Sequence, residues 1–192
     1  MLLLILGLVL FLGTHSVAIF AADWREQVIA RAGKWSWKGL YGLLSAAGLL
    51  LIVLGYGAAR QAPDPIVLYT APTWLRHLSL LLMAPVFVLL AATYLPGRIQ
   101  RATKHPMLLA VKLWALAHLL ANGSLADTLL FGGFLVWAIV DRVSLKRRET
   151  PWVPGAPPSR WNDWIAVGAG IALYVAFILW LHRALMGVSP IG

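Results

Sequence analysis

Cysteine is absent from the 192 residues. That excludes disulfides, thiolate-held zinc, iron–sulfur clusters and covalently attached c-type haem. Acidic residues are scarce, with seven Asp and Glu against sixteen Lys and Arg. None of the seven falls well inside an apolar run, which argues against a proton-coupled transporter and a carboxylate-rich di-iron site. Charge of either sign makes up only 12% of the chain, about half the share of a soluble domain. No phosphate-binding glycine loop, serine-hydrolase elbow or zinc-protease helix occurs. There is also no internal repeat and no low-complexity tract.

What the chain has instead is apolar length. Sixty per cent of it is hydrophobic, and runs such as Leu2 to Ala22, Gly39 to Ala59, His77 to Leu95 and Trp164 to Leu181 carry no charge. Roughly 20 apolar residues cross the hydrocarbon core as a helix, because a helix satisfies its own backbone polar groups. The predicted class is all-α, a polytopic transmembrane bundle of about six helices forming one transmembrane domain over residues 1–192. The predicted spans are Leu2 to Ala22, Trp37 to Ala59, Trp74 to Leu95, His105 to Asn122, Leu125 to Val140 and Trp161 to Arg183. The first reads as a span and not a cleaved signal, for it has no basic leader and no clear small-residue cleavage site. The fourth and fifth are short, and Asn122-Gly123 between them predicts a tight helical hairpin.

Smaller features are expected to follow. Pro85 should kink the third span and free the Leu81 carbonyl. Gly39, Gly42, Ala46, Gly48 and Gly55 give the second span a small-residue surface for close packing. Trp24, Val28 and Trp35 are expected on one face of an interfacial helix. The Pro- and Trp-rich stretch from Thr150 to Asn162 is expected to form an ordered or lipid-hugging loop.

Twelve of the sixteen basic residues fall in the first, third and fifth loops. By the excess of Lys and Arg on the cytoplasmic side, those loops are cytoplasmic and both termini face the other side. That side is the periplasm in a bacterial inner membrane. The net charge of +9 is accounted for by topology and anionic lipid, with no nucleic-acid partner implied.

Polar groups inside a membrane are costly, so each needs an explanation. The first span carries His15, and the fourth carries Lys112, His118 and Asn122. Trp114, His118 and Asn122 are spaced by four and share one helix face, while His105 and Lys112 share another. His15 and His118 each could do no more than hydrogen-bond a neighbouring helix. Two buried neutral imidazoles on separate helices are also what a six-coordinate haem b requires. Phe11 and Trp114, one turn from His15 and His118, would give such a group an aromatic lining. His105, before Pro106, reads as a helix entry, although depth in the membrane alone would pair it with His15. His77 and His182 read as wet interfacial positions. Lys112 either snorkels to the cytoplasmic surface or neutralises a buried carboxylate such as a haem propionate.

The stretch His105-Pro106-Met107-Leu108, continued by Lys112-Leu113-Trp114-Ala115-Leu116-Ala117-His118-Leu119-Leu120-Ala121-Asn122-Gly123, resembles the signature of the NnrU family. Gly13-Thr14-His15-Ser16 resembles that family's opening segment. The resemblance covers roughly residues 1–148, and the last span is less distinctive. It implies a bacterial membrane protein linked to denitrification, that is, to nitrite and nitric oxide metabolism. The family is related to the plastid zeta-carotene isomerase, a haem b protein that isomerises a carotenoid double bond. Through that relationship the resemblance implies haem b, with His15 and His118 at the ligand positions and His105 at the His-Pro position.

Two functional readings stand on this sequence. One is a haem b membrane protein, an isomerase or redox sensor acting on a hydrophobic small molecule. The other is a non-enzymatic membrane factor that assembles or regulates a respiratory complex, its histidines being structural. Membrane lipids are partners in either case.

Overall fold

The computed structural model describes residues 1–148, 153 and 155–191. The described residues are helical, with one isolated bridge pairing Val67 and Ser124. They form two compact units interleaved along the chain.

The first unit comprises Met1–Thr70 and Asn122–Ser144. It holds α1 (Leu2–Phe20), α2 (Ala22–Ala32), α3 (Lys34–Arg60) and α7 (Leu125–Ser144). α1 and α3 cross with their backbones touching. A Cβ added at Gly48 would stand 2.8 Å from the Phe11 nitrogen, and one at Gly7 would stand 2.6 Å from the Ile52 nitrogen. A Cβ at Gly55 would collide with the Leu4 backbone. Small residues let helix backbones approach where lipid supplies no hydrophobic driving force between helices. Of the expected small-residue surface, Gly48 and Gly55 carry this contact, whereas Gly39 and Gly42 face open space.

α2 ends at Ala32 because Gly33 adopts φ 86°, a conformation that favours glycine. Trp35 therefore belongs to α3 and does not share the short helix of Trp24 and Val28, as the sequence had suggested. The Trp24 ring meets the Trp37 ring edge-on at 6.0 Å instead.

α7 begins with a reciprocal cap. The Ser124 N–H and hydroxyl donate to Asp127 at 2.9 and 2.6 Å, and the Asp127 N–H returns a bond to the Ser124 hydroxyl oxygen at 3.1 Å. Tyr56 of α3 adds a third donor to the same carboxylate at 2.6 Å. Asp127 is buried, and these donors account for a carboxylate at that depth. Gly123 pairs with the segment before the second unit, its carbonyl accepting from the Leu68 and Tyr69 N–H groups.

The second unit comprises Ala71–Ala121 and Leu145–Gly192. It holds α4 (Thr73–Tyr94), α5 (Arg98–Thr103), α6 (Pro106–Ala121), α8 (Asn162–Ala176), a π-turn (Phe177–Leu181) and α9 (His182–Met186). α6 and α8 both pack on α4. Val86, Leu89 and Ala110 form the buried centre, with Trp114 and Leu113 against it. Gly170 lets α8 approach the α4 backbone at Val88. Pro85 lies inside α4, and the Tyr174 hydroxyl donates at 2.6 Å to the Leu80 carbonyl, one residue before the carbonyl expected to be freed. Asp163 of α8 accepts from the Arg98 and Ile99 N–H groups at 2.8 and 3.0 Å and so caps α5.

Within the Thr150–Asn162 stretch, residues 150–152 and 154 lie outside the described residues. The remainder is ordered: Ala156 donates to the Tyr94 carbonyl, and the Asn162 amide donates to the Pro96 and Pro157 carbonyls.

Four stretches are long and apolar enough to cross a membrane: Leu2–Phe20, Lys34–Arg60, Thr73–Tyr94 and Asn162–Met186. α6 is a shorter apolar helix. α7 contains Asp127, Asp141 and Arg142 and is not among the four. Asn122-Gly123, where the sequence predicts a turn, falls at the boundary between the units. α6 packs on α4 in the second, and α7 packs on α1 in the first. The turn residues are those of a hairpin, but which partner buries each helix is decided by surfaces distant in sequence.

Candidate functional site: two histidine-centred clusters

In the first unit, His15 sits in α1 one turn after Phe11. Its Nδ1 lies 2.7 Å from the Phe11 carbonyl oxygen. A carbonyl only accepts, so Nδ1 carries the proton and donates. Nε2 is then the bare nitrogen, the form of imidazole that binds a metal. The Phe11 ring stacks on the imidazole at 4.2 Å with planes 27° apart. Tyr41 of α3 lies 5.2 Å away, and Trp137 of α7 meets it edge-on at 6.0 Å. Phe134 adds a further ring beside Phe11 at 5.7 Å. Trp137 Nε1 is buried and has no hydrogen-bond partner. A buried indole N–H normally finds one.

In the second unit, His118 repeats the arrangement on α6. Its Nδ1 donates to the Trp114 carbonyl at 2.8 Å. The Trp114 ring stands 5.4 Å from the imidazole and also packs on the core at Val86, Leu89 and Ala110. The indole thus fixes α6 against α4 and lines the histidine at once.

The same unit brings a residue that the sequence reading left at the surface. The imidazole of His182 faces that of His118 with ring centres 6.5 Å apart and planes within 21°. Both are half-buried. No spacing in the sequence signals this pair, because the two positions are 64 apart with α7, α8 and the π-turn between them.

The other expected site residues are distributed as follows. His105 lies just before α6 and Pro106 opens that helix, with the His105 carbonyl accepting from the Leu109 N–H at 3.1 Å. This is the helix-entry role read from His-Pro. Lys112 is half-buried in the middle of α6. Asn122 lies past the end of α6 in the first unit, and its carbonyl accepts from the Tyr69 hydroxyl at 2.7 Å. His77 is exposed near the start of α4. Among the described residues, no group of three or more His, Asp or Glu is placed to hold a metal ion by itself.

These features define a polytopic helical membrane protein with imidazoles presented from its apolar helices. The family described as NnrU protein matches residues 3–190, and the chain belongs to the NnrU family. The match runs through the last helix, well past the residues that carry the sequence resemblance. No curated protein and no solved structure matches the chain.

Proposed function

We propose that the chain is a haem b protein of the bacterial inner membrane, with His15 and His118 supplying the axial imidazoles. The observation that carries this reading is shared by both residues. Each Nδ1–H is tied to the carbonyl four residues earlier in its own helix, at 2.7 and 2.8 Å. That bond sets the tautomer, orients the ring and makes Nε2 a better ligand.

The donor set suits the group. A haem needs two neutral imidazoles, an apolar aromatic lining and cover for its propionates. Phe11, Tyr41 and Trp137 surround His15, and Trp114 lines His118. The partnerless Trp137 N–H is a donor in apolar surroundings, suited to an acceptor oxygen. The haem would supply reversible iron redox chemistry or a polarising iron to a bound molecule. The protein would hold the iron's axial positions, exclude water with aromatic rings and fix the imidazole tautomers. With histidines set among aromatic rings in apolar helices, the reading is a haem-dependent isomerase or redox sensor acting on a hydrophobic molecule. The link to nitrite and nitric oxide metabolism comes with the family. Absorption spectra of the detergent-purified chain and its His15 and His118 variants test the reading.

Lys112 belongs to this reading as the cation that balances a haem propionate. Lys112→Leu is expected to lower the haem-to-protein ratio of purified material several-fold, and Lys112→Arg to keep it near the wild-type value. Equal haem content in the Leu variant would reduce Lys112 to a surface charge.

The charge pattern supports cytoplasmic odd-numbered loops and periplasmic termini. Alkaline phosphatase fused after Gly192 should be active, and fused at Arg147 inactive. The reverse pattern would invert the topology.

A further inference from the structure

We propose that the elbow between α2 and α3 binds an anionic glycerophospholipid, its phosphate held by Arg31, Lys34 and Lys38 beside the exposed indole of Trp35. The inference is independent of the haem reading and concerns the first unit alone.

Depth in the membrane comes first. α3 is 27 residues long, about 40 Å against about 30 Å of hydrocarbon. Its uncharged run from Gly39 to Ala59 is long enough to fill that hydrocarbon by itself. The first turns of α3, from Lys34 to Lys38, therefore stand at the level of the lipid headgroups. α2 is held at the same level. Ala21 alone joins it to the end of α1, and Gly33 alone joins it to the start of α3. Gly33 turns the chain there with φ 86°. An 11-residue helix between two such joints cannot leave the membrane surface.

The second observation is what the elbow shows to its surroundings. No residue of α2 is buried, and a helix of this length is marginal without packing. It is pinned to α3 by aromatic contacts. The Trp24 ring meets the Trp37 ring edge-on at 6.0 Å, and the Arg25 guanidinium lies 6.0 Å from the centre of the same Trp37 ring. Trp35 is 81% exposed and Phe20 75% exposed. Rings of this kind sit among headgroups, where the apolar body is covered and the indole N–H stays wet.

The third is the order of charges. The acids of the segment, Asp23 and Glu26, lie in the first half of α2, and Arg31, Lys34 and Lys38 follow them. These three cations are exposed. Lys34 and Lys38 are four apart and share one face of α3, and the Lys38 ammonium stands 4.9 Å over the Trp35 ring. Ammonium and guanidinium groups bind phosphate oxygens with charge-assisted hydrogen bonds, and basic clusters beside a span recruit anionic lipid. A soluble polyanion would match the cations and leave Trp35 and Phe20 against water. A zwitterionic lipid would cover the rings and bring a cation of its own to the cluster. An anionic phospholipid satisfies both the rings and the charges.

The test uses the full chain purified in detergent, with phosphatidylglycerol or phosphatidylcholine added, read by native mass spectrometry and by the thermal aggregation midpoint. Phosphatidylglycerol should remain as a retained adduct and raise the midpoint by several degrees more than phosphatidylcholine, since a ligand bound by the folded chain alone stabilises it. Raising the salt from about 0.1 to about 1 M, which shortens the Debye length from about 10 to about 3 Å, should reduce that preference. Arg31→Gln/Lys34→Gln/Lys38→Gln should lose it, and Lys34→Arg/Lys38→Arg should keep it. Arg98→Gln/Arg101→Gln/Lys104→Gln removes the same charge from the second unit and should leave the preference unchanged. Equal midpoints with the two lipids in the wild type would overturn the proposal. So would an equal loss in the two triple variants, which would reduce the effect to net charge, or an equal shift with inorganic phosphate, which would make the elbow a site for a free anion.

Discussion

His118→Ala is expected to abolish stable haem retention. His118 is one of the two imidazoles proposed to hold the haem, and it lies within an apolar helix of its unit. His105 stands at the entry of α6, outside the helix, and His77 is exposed near the start of α4. Substituting a group that merely orients a metal ligand costs about 10–100-fold in affinity, and loss of the ligand itself costs at least the upper end of that range. The haem-to-protein ratio after purification should fall to near zero, or the residual haem should be high-spin. The folding control is built into the same helix. His118 touches Trp114, and Trp114 fixes α6 to the core at Val86 and Leu89. The alanine variant keeps Trp114, so it should elute from size exclusion as the wild type does. His118→Ala with a full complement of low-spin haem would remove the residue from the site.

Gly55→Leu should collapse the first unit. The α1–α3 crossing leaves no room at this position, since a Cβ would overlap the Leu4 backbone. Overpacking a well-packed interior costs about 1–3 kcal/mol where side chains can give way, and more where the obstacle is backbone. The helices must separate by more than a methyl group, which also withdraws α3 from the Tyr56–Asp127 hydrogen bond. Gly39→Leu is the matched control, because its Cβ would meet nothing within 4 Å. Thermal aggregation of the two variants in the same detergent should differ by many degrees, with Gly39→Leu at the wild-type midpoint. Equal midpoints would mean that α1 and α3 do not pack through Gly55.

These two predictions rest on parts of the chain that differ in how far the sequence disclosed them. The long apolar runs named four of the spans outright, since uncharged length is a property of composition. The His-Pro and Asn-Gly pairs marked the ends of α6, because proline and glycine act on the local backbone. Partner choice was not legible. α6 and α7 look like a hairpin in sequence, yet each packs in a different unit. The break at Gly33 that separates Trp35 from Trp24 turns on one backbone angle. The cap on α7 was legible in principle, as Ser124-x-x-Asp127 is a capping-box pattern. Its third partner, Tyr56, was not, lying 71 residues away.

The site shows the same division. His15 and His118 stood out because an imidazole in an apolar helix is expensive and needs a use. Their aromatic neighbours one turn away, Phe11 and Trp114, followed from helical spacing. Tyr41 and Trp137 come from other helices and carried no local signal. The bond from His182 to the Val188 carbonyl also carried no local signal, because it depends on a π-turn and a left-handed glycine.

The most direct measurement of the central claim is the visible spectrum of the detergent-purified full chain, oxidised and then reduced with dithionite, after expression with ample haem supply. The account predicts bound haem b, extractable because no cysteine can tether it, with the sharp bands of a low-spin six-coordinate iron in the reduced state. A colourless protein, or haem bound with the broad high-spin spectrum of a five-coordinate iron, would contradict it.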